Sequence, residues 1–413
     1  MVPRVVVTGM GLLTSLGNDV PTTWQGLCQG QSGVDTITTF DTSRLHVHFG
    51  AELKNFDPTH YMERKEARRT DPFEQYAIVA AKQALQQAGL QVTEENADQV
   101  GVLVGSCYGG LTTFGEGYNA LMTKGPARIN VHCINMMTTD SAAGLISIMT
   151  GARGPNWAVA SAHVSSSNAI GEAWEIIRRG DATAMITVGA EKSLHPIVMA
   201  AFYNIHALSR HNDDPQGACR PFDVTRDGCV LADGAGALIL EELESARARG
   251  AAILAEIVGY GSTVDAYHIT EPAPGGTGLV RAMRRALQKA HLHPEEIDHI
   301  NAHGSSTPYN DRTETEAIKT LFGPHAYEIP ISANKSMIGH TQGASGAVEA
   351  VIAIMTIGAQ TIPPTVNLHH PDPACDLDYV PQHARQASIK TVMSNSVGFN
   401  GHNACLIFQR YKE

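Results

Sequence analysis

Short apolar runs alternate along this chain with longer segments whose apolar positions recur at helical spacing, and this alternation predicts an α/β architecture. The first run, Arg4 to Leu13, reads as a buried strand ending in glycines, with a helix around Val20 to Gln29 behind it. Ile78, Ala81, Ala84 and Leu85 share one face of a predicted helix that leads through Gly89 into another apolar run, Val100 to Val104. From about Gly109 to Thr139 the chain is rich in Gly, Met and Asn, and an irregular insertion is expected. The next apolar run stops at Ala160. Small residues follow with one imidazole among them, His163, and a helix-compatible segment continues to Arg179, where Gly180 closes it. A side chain on such a strand-to-helix turn projects into a cavity, beside free backbone N–H groups and the positive end of the helix dipole. That setting suits a thiolate, whose pKa the dipole lowers. Here the position holds His163, and no cysteine lies nearer in sequence than Cys133.

The pattern then repeats. Ala84-Leu85-Gln86-Gln87-Ala88 has its counterpart in Ala286-Leu287-Gln288-Lys289-Ala290, each followed by an apolar run. The His163 turn and its helix correspond to Ile329–Ser336 and the glycine- and alanine-rich helix behind it, and Asp233–Leu240 resembles Asn400–Phe408. Three matching blocks in one order imply a duplication, with residues 1–250 and 251–413 as the two halves. Related halves packed face to face bring corresponding turns to a shared centre. His163, His303, Lys335, His340 and Phe399 all lie on such turns.

Composition narrows the function classes. The chain has 413 residues, 43% of them hydrophobic, enough for a large core. A net charge of −11 argues against general nucleic-acid binding, and an acidic partner would need a local basic patch. Arg64, Lys65, Arg68 and Arg69 share one helical face, a solvated face with Glu63 and Glu66 as local partners on the plainest reading. The seven cysteines are scattered without a CxxC pair, so they read as reduced, and a cytoplasmic location is expected. The first residues read as a strand rather than a signal peptide, and the apolar segment Ala347 to Ala359 contains Glu349 and falls short of a membrane span.

Longer motifs add a family. Arg220-Pro221-Phe222-Asp223 with Arg226-Asp227-Gly228, Asn301-Ala302-His303-Gly304-Ser305-Ser306-Thr307-Pro308 with Asp311 and Glu314, Lys335-Ser336-Met337-Ile338-Gly339-His340, and the terminal Gly398-Phe399-Asn400-Gly401-His402-Asn403 resemble the β-ketoacyl-acyl-carrier-protein synthase II family from Arg4 to Phe408. The resemblance implies the thiolase fold, duplicated αβαβα halves in a five-layer sandwich, and a homodimer. It implies a catalytic cysteine at position 163 with His303 and His340 completing the site, a Lys335–Glu314 ion pair, and Ser305 and Thr307 holding a phosphopantetheine arm. Lys65, Arg68 and Arg69 match the surface that receives the acyl carrier protein. No cofactor or metal of its own is implied, since the pantetheine belongs to the carrier.

The chain departs from that family at four places. His163 removes the thiol. Asn400 stands for a glycine, which its ease in left-handed conformations permits; His402 stands for a threonine. Tyr108 stands where relatives carry an aliphatic residue along the acyl channel, and its ring is expected to shorten the pocket. Without a thiolate, condensation is not expected, whereas malonyl decarboxylation needs only donors for the enolate oxygen, which His303, His340 and the backbone N–H groups of residues 163 and 399 can supply. The alternatives are a non-catalytic partner subunit of an active synthase, a zinc site built from the three imidazoles, and continued elongation through another acceptor such as Cys107.

Overall fold

The computed structural model describes residues 2–412. In chain order its strands are β1 (Val5–Leu13), β2 (Asp35–Thr36), β3 (Phe49–Gly50), β4 (Val100–Gly105), β5 (Asn156–Val159), β6 (Ala184–Glu191) and β7 (Gly234–Glu242). The second half contributes β8 (Ala255–Val264), β9 (His299–Asn301), β10 (Ile331–Ser332), β11 (Thr361–Ile362), β12 (Arg385–Gln386), β13 (Thr391–Gly398) and β14 (His402–Gln409). Ten of them form one sheet in the order β10-β9-β13-β14-β8-β1-β7-β6-β4-β5. Read outward from the β1–β8 pair, the two sides have the same sequence of parallel and antiparallel neighbours, so the duplication is visible as topology.

The repeated helix phrases owe their likeness to one packing solution. A Cβ on Gly9 or Gly11 of β1 would meet the carbonyl oxygens of Ala84 and Ala80 at 2.0 Å, so only glycine lets the Pro72–Ala88 helix approach this closely. In the second half Gly259 and Gly261 of β8 meet the carbonyls of Ala286 and Ala282 on the Thr277–Ala290 helix in the same way. These helices cover the outer faces. The helices Ser165–Arg179 and Ser345–Ala359 pack on each other and on strands of both halves, which makes them the middle layer of an α-β-α-β-α stack. Ile170, Trp174, Val348 and Ile352 are buried between them.

The stretch Gln342–Ala359 is apolar and long enough to cross a membrane, and it is 83% buried inside this core. The region from Gly109 to Thr139 differs from the irregular insertion expected. It contains a helix at Leu111–Lys124 and a shorter one at Cys133–Met137, because Phe114, Tyr118, Leu121 and Met122 fall at helical spacing that the many glycines mask in sequence.

Candidate active site

His163, His303, Lys335 and Phe399 each sit where a strand of the central sheet gives way to a turn. After β5, Ala162 adopts a left-handed conformation (φ 52°) and His163 follows, two residues before the Ser165–Arg179 helix begins. His303 lies just beyond β9, Lys335 opens a short helix after β10, and His340 precedes the Ser345–Ala359 helix. Phe399 closes β13, with Asn400 left-handed (φ 60°) as its side chain permits.

These turns converge. The His163 ring centroid lies 4.6 Å from that of His340, 6.4 Å from His303 and 4.8 Å from Phe399. All three imidazoles are buried. They line a cavity of about 330 Å³ together with Phe202, Cys229, Ser305, Thr307 and Phe399. The Ser305 and Thr307 hydroxyls are 2.9 Å apart at its wall. A larger groove of about 820 Å³ between Arg178, Tyr260 and Lys289 is open to solvent and contains none of these groups. Tyr108 is half-buried beside the cavity rather than in its lining, and the Cys107 thiol is pushed up by burial, so neither its place nor its charge state suits an acyl acceptor.

Hydrogen bonding fixes which ring nitrogens carry protons. The Gln342 N–H donates to His340 Nδ1 (3.2 Å), leaving Nε2 as an unpartnered N–H toward the cavity. At His303, Nδ1 faces the Lys335 ammonium at 3.4 Å, which can only donate, so its Nε2 also carries the proton. Burial, aided by the Lys335 charge, lowers the His163 pKa to about 3, against the pull of a hydrogen bond to the Val397 carbonyl. Burial likewise holds His303 and His340 well below the usual imidazole range, with Lys335 and the neighbouring imidazoles adding to it. The three imidazoles are therefore neutral at pH 7, and two of them present N–H donors to the cavity.

The geometry corrects one expectation. Lys335 pairs with Glu349, not Glu314, and donates to the His303 carbonyl at 2.8 Å. Glu314 instead accepts the backbone N–H groups of His303 (2.8 Å) and Gly304 (2.9 Å), so it shapes the turn rather than pairing the lysine. Asp311 does similar work, accepting from the amides of Phe222 and Ser306 with Arg226 at 3.6 Å. Glu349 was the residue missed. Its signal was a single acid inside an otherwise apolar helix, which demands a partner when buried. Lys335→Met leaves that carboxylate unpaired and is expected to cost about 3–5 kcal/mol of stability, read from urea unfolding.

The three imidazoles offer ligand atoms within 4.8 Å of one another, but the fit to zinc is poor. Nε2 of both His303 and His340 carries a proton where the metal needs a lone pair.

Comparison with known proteins gives the family. The family model described as Beta-ketoacyl synthase, N-terminal domain, matches residues 3–246, and that for the C-terminal domain matches residues 254–369. The chain belongs to the β-ketoacyl synthase family. Among curated relatives, a 3-oxoacyl-[acyl-carrier-protein] synthase 2 of Synechocystis is 49% identical over 409 residues, covering 99% of this chain and 98% of the relative. The ishigamide ketosynthase/chain length factor structure superposes with a TM-score of 0.93 at 34% identity, covering 100% of both chains. A type II polyketide ketosynthase solved in complex with its acyl-carrier protein gives a TM-score of 0.90 at 32% identity, again covering 100% of both. His163 occupies the elbow position at which the sequence resemblance implied a cysteine.

The neutral imidazoles make a pH prediction. A histidine held at about 3 in the fold and near 6.5 in the unfolded chain stabilises the fold fully above pH 6.5, and that contribution is lost as pH falls toward 3. The urea midpoint is expected to drop between pH 7 and pH 5, and less steeply in His163→Gln. Equal slopes would remove His163 from this account.

Proposed function

We propose that this β-ketoacyl synthase family member acts on malonyl- or acyl-carrier-protein thioesters, has lost condensation, and retains malonyl decarboxylation. The observation that carries the reading is the pairing of a missing thiol with two intact N–H donors. Condensation needs a nucleophile that attacks the thioester and later leaves, which thiolate does and a buried, weakly basic imidazole does poorly. Loss of carbon dioxide from a malonyl thioester leaves an enolate oxygen, and N–H donors at His303 and His340 stabilise that charge as it develops. The carbanion carbon then takes a proton, and the carrier keeps an acetyl group.

The basic patch supports the carrier as partner. Arg64, Lys65, Arg68 and Arg69 are exposed, and among the described residues none forms an ion pair; Glu66 is turned to the Glu63 N–H instead. The face is shorter than the sequence implied, since the helix covers only Arg64–Ala67, but the four charges remain together. Reversing Lys65, Arg68 and Arg69 to Glu is expected to weaken carrier-protein binding at least about tenfold at low salt and to flatten its salt dependence. Titration calorimetry at two salt concentrations reads both.

A second reading is a non-catalytic partner subunit of an active synthase, favoured by the likeness to a ketosynthase/chain length factor structure. The edge strand β5 with exposed Trp157, and exposed Ile148, Phe114, Tyr118 and Met122 nearby, support a subunit interface in either case. Co-purification from the native host separates a homodimer from a pair with an active synthase. Incubation with malonyl-carrier protein, followed by mass spectrometry of the carrier, tests the first reading. Acetyl-carrier protein is expected, and no product at high enzyme concentration removes the decarboxylase claim.

A further inference from the structure

Glu191 ends β6 fully buried, with no part in the chemistry described above. Four donors converge on its carboxylate. Oε1 accepts from the Ser106 hydroxyl (2.8 Å) and the Tyr108 N–H (3.1 Å); Oε2 accepts from the N–H groups of Cys107 (2.6 Å) and Gly343 (3.2 Å). The first three hold the turn after β4, and the fourth lies in the turn that follows His340. A Cβ on Gly343 would meet both Cys107 N and Glu191 Oε2 at 2.5 Å, so glycine is needed for the joint to close.

The residue before this joint is under strain. Gln342 sits in the left-handed region (φ 50°), where a non-glycine residue pays roughly 1–2 kcal/mol, and neither side-chain amide atom has a partner. Its one visible task is to aim its N–H at His340 Nδ1. The other neighbour of that nitrogen, the Ser345 hydroxyl at 2.9 Å, accepts or donates equally well and selects no tautomer.

We infer that Glu191 is a positioning residue: by anchoring the Gly343 amide it holds Gln342 in its strained conformation, and so keeps the proton of His340 on Nε2, facing the cavity. Without the anchor, Gln342 relaxes and its N–H turns away. The imidazole is then free to place its proton on Nδ1 and donate to Ser345, which leaves a lone pair toward the cavity in place of a donor. The same carboxylate fixes the Tyr108 turn, so one group sets both an oxyanion donor and a cavity neighbour.

The test compares the parent with Glu191→Gln, whose NH₂ would face the converging donors. Burial holds the Glu191 pKa at about 7 even against those donors, so the comparison is made at pH 8. The tautomer of His340 is read by ¹⁵N NMR of histidine-labelled protein, with the signal assigned by its absence in His340→Gln. The parent is expected to show the Nε2–H form and the variant a shift to Nδ1–H, with decarboxylation kcat falling about 10²-fold and KM little changed. Gly343→Ala, which opens the joint from the opposite side, should shift the tautomer likewise and serves if Glu191→Gln does not fold. An unchanged Nε2–H signal in a folded variant overturns the inference. The inference rests on the proposed activity only for its kinetic arm: a tautomer shift with no decarboxylation in the parent upholds Glu191 and refutes the activity.

Discussion

His163→Cys is expected to restore covalent acyl transfer. The new thiol would lie two residues before the Ser165–Arg179 helix, where the dipole and free N–H groups favour thiolate, and a cysteine is smaller than the imidazole it replaces. The rest of the centre is intact: the Nε2–H donors of His303 and His340, the Lys335–Glu349 pair and the Phe399 turn do not depend on the side chain at 163. Removing a covalent nucleophile costs on the order of 10⁶ in rate in a well-studied hydrolase, so restoring one should raise condensation at least about 10³-fold over the parent. Intact-protein mass spectrometry after incubation with acyl-carrier protein reads the adduct, and addition of malonyl-carrier protein reads the extended product. A folded His163→Cys protein that takes no acyl group would mean that the acyl path has been lost as well as the nucleophile.

The second large effect concerns the donors. Replacing either His303 or His340 by Ala is expected to lower malonyl decarboxylation about 10²–10³-fold, the usual cost of one oxyanion donor. His163→Ala should leave the rate on the order of the parent's, since its neutral ring supplies no charge and no donor to the cavity that the two other imidazoles do not. The contrast matters more than either value. Were His163→Ala as damaging as His340→Ala, the imidazole at 163 would have a chemical role of its own.

Much of this was legible in the sequence because it was written in local patterns. The repeated Ala-Leu-Gln phrases marked the helix faces on which Gly9, Gly11, Gly259 and Gly261 pack, and the strand-to-helix grammar around His163 marked the elbow. What stayed hidden depends on long-range pairing. The choice of Glu349 over Glu314 as partner for Lys335 is decided by how the Ser345–Ala359 helix crosses the centre, and no spacing records that. Glu191 was invisible for the same reason: its four donors come from two separate turns, Ser106–Tyr108 and Gly343. The helix at Leu111–Lys124 was obscured by Gly115 and Gly117, which weaken helix propensity where the apolar stripe still holds.

The central claim is that the oxyanion geometry has outlived the nucleophile. The most direct measurement supplies the parent protein with a fatty acyl-carrier protein and malonyl-carrier protein together, and weighs every species by mass spectrometry. The account predicts an unmodified enzyme mass, an unextended acyl chain and acetyl-carrier protein formed from malonyl. A covalent acyl-enzyme and a chain longer by two carbons would contradict it.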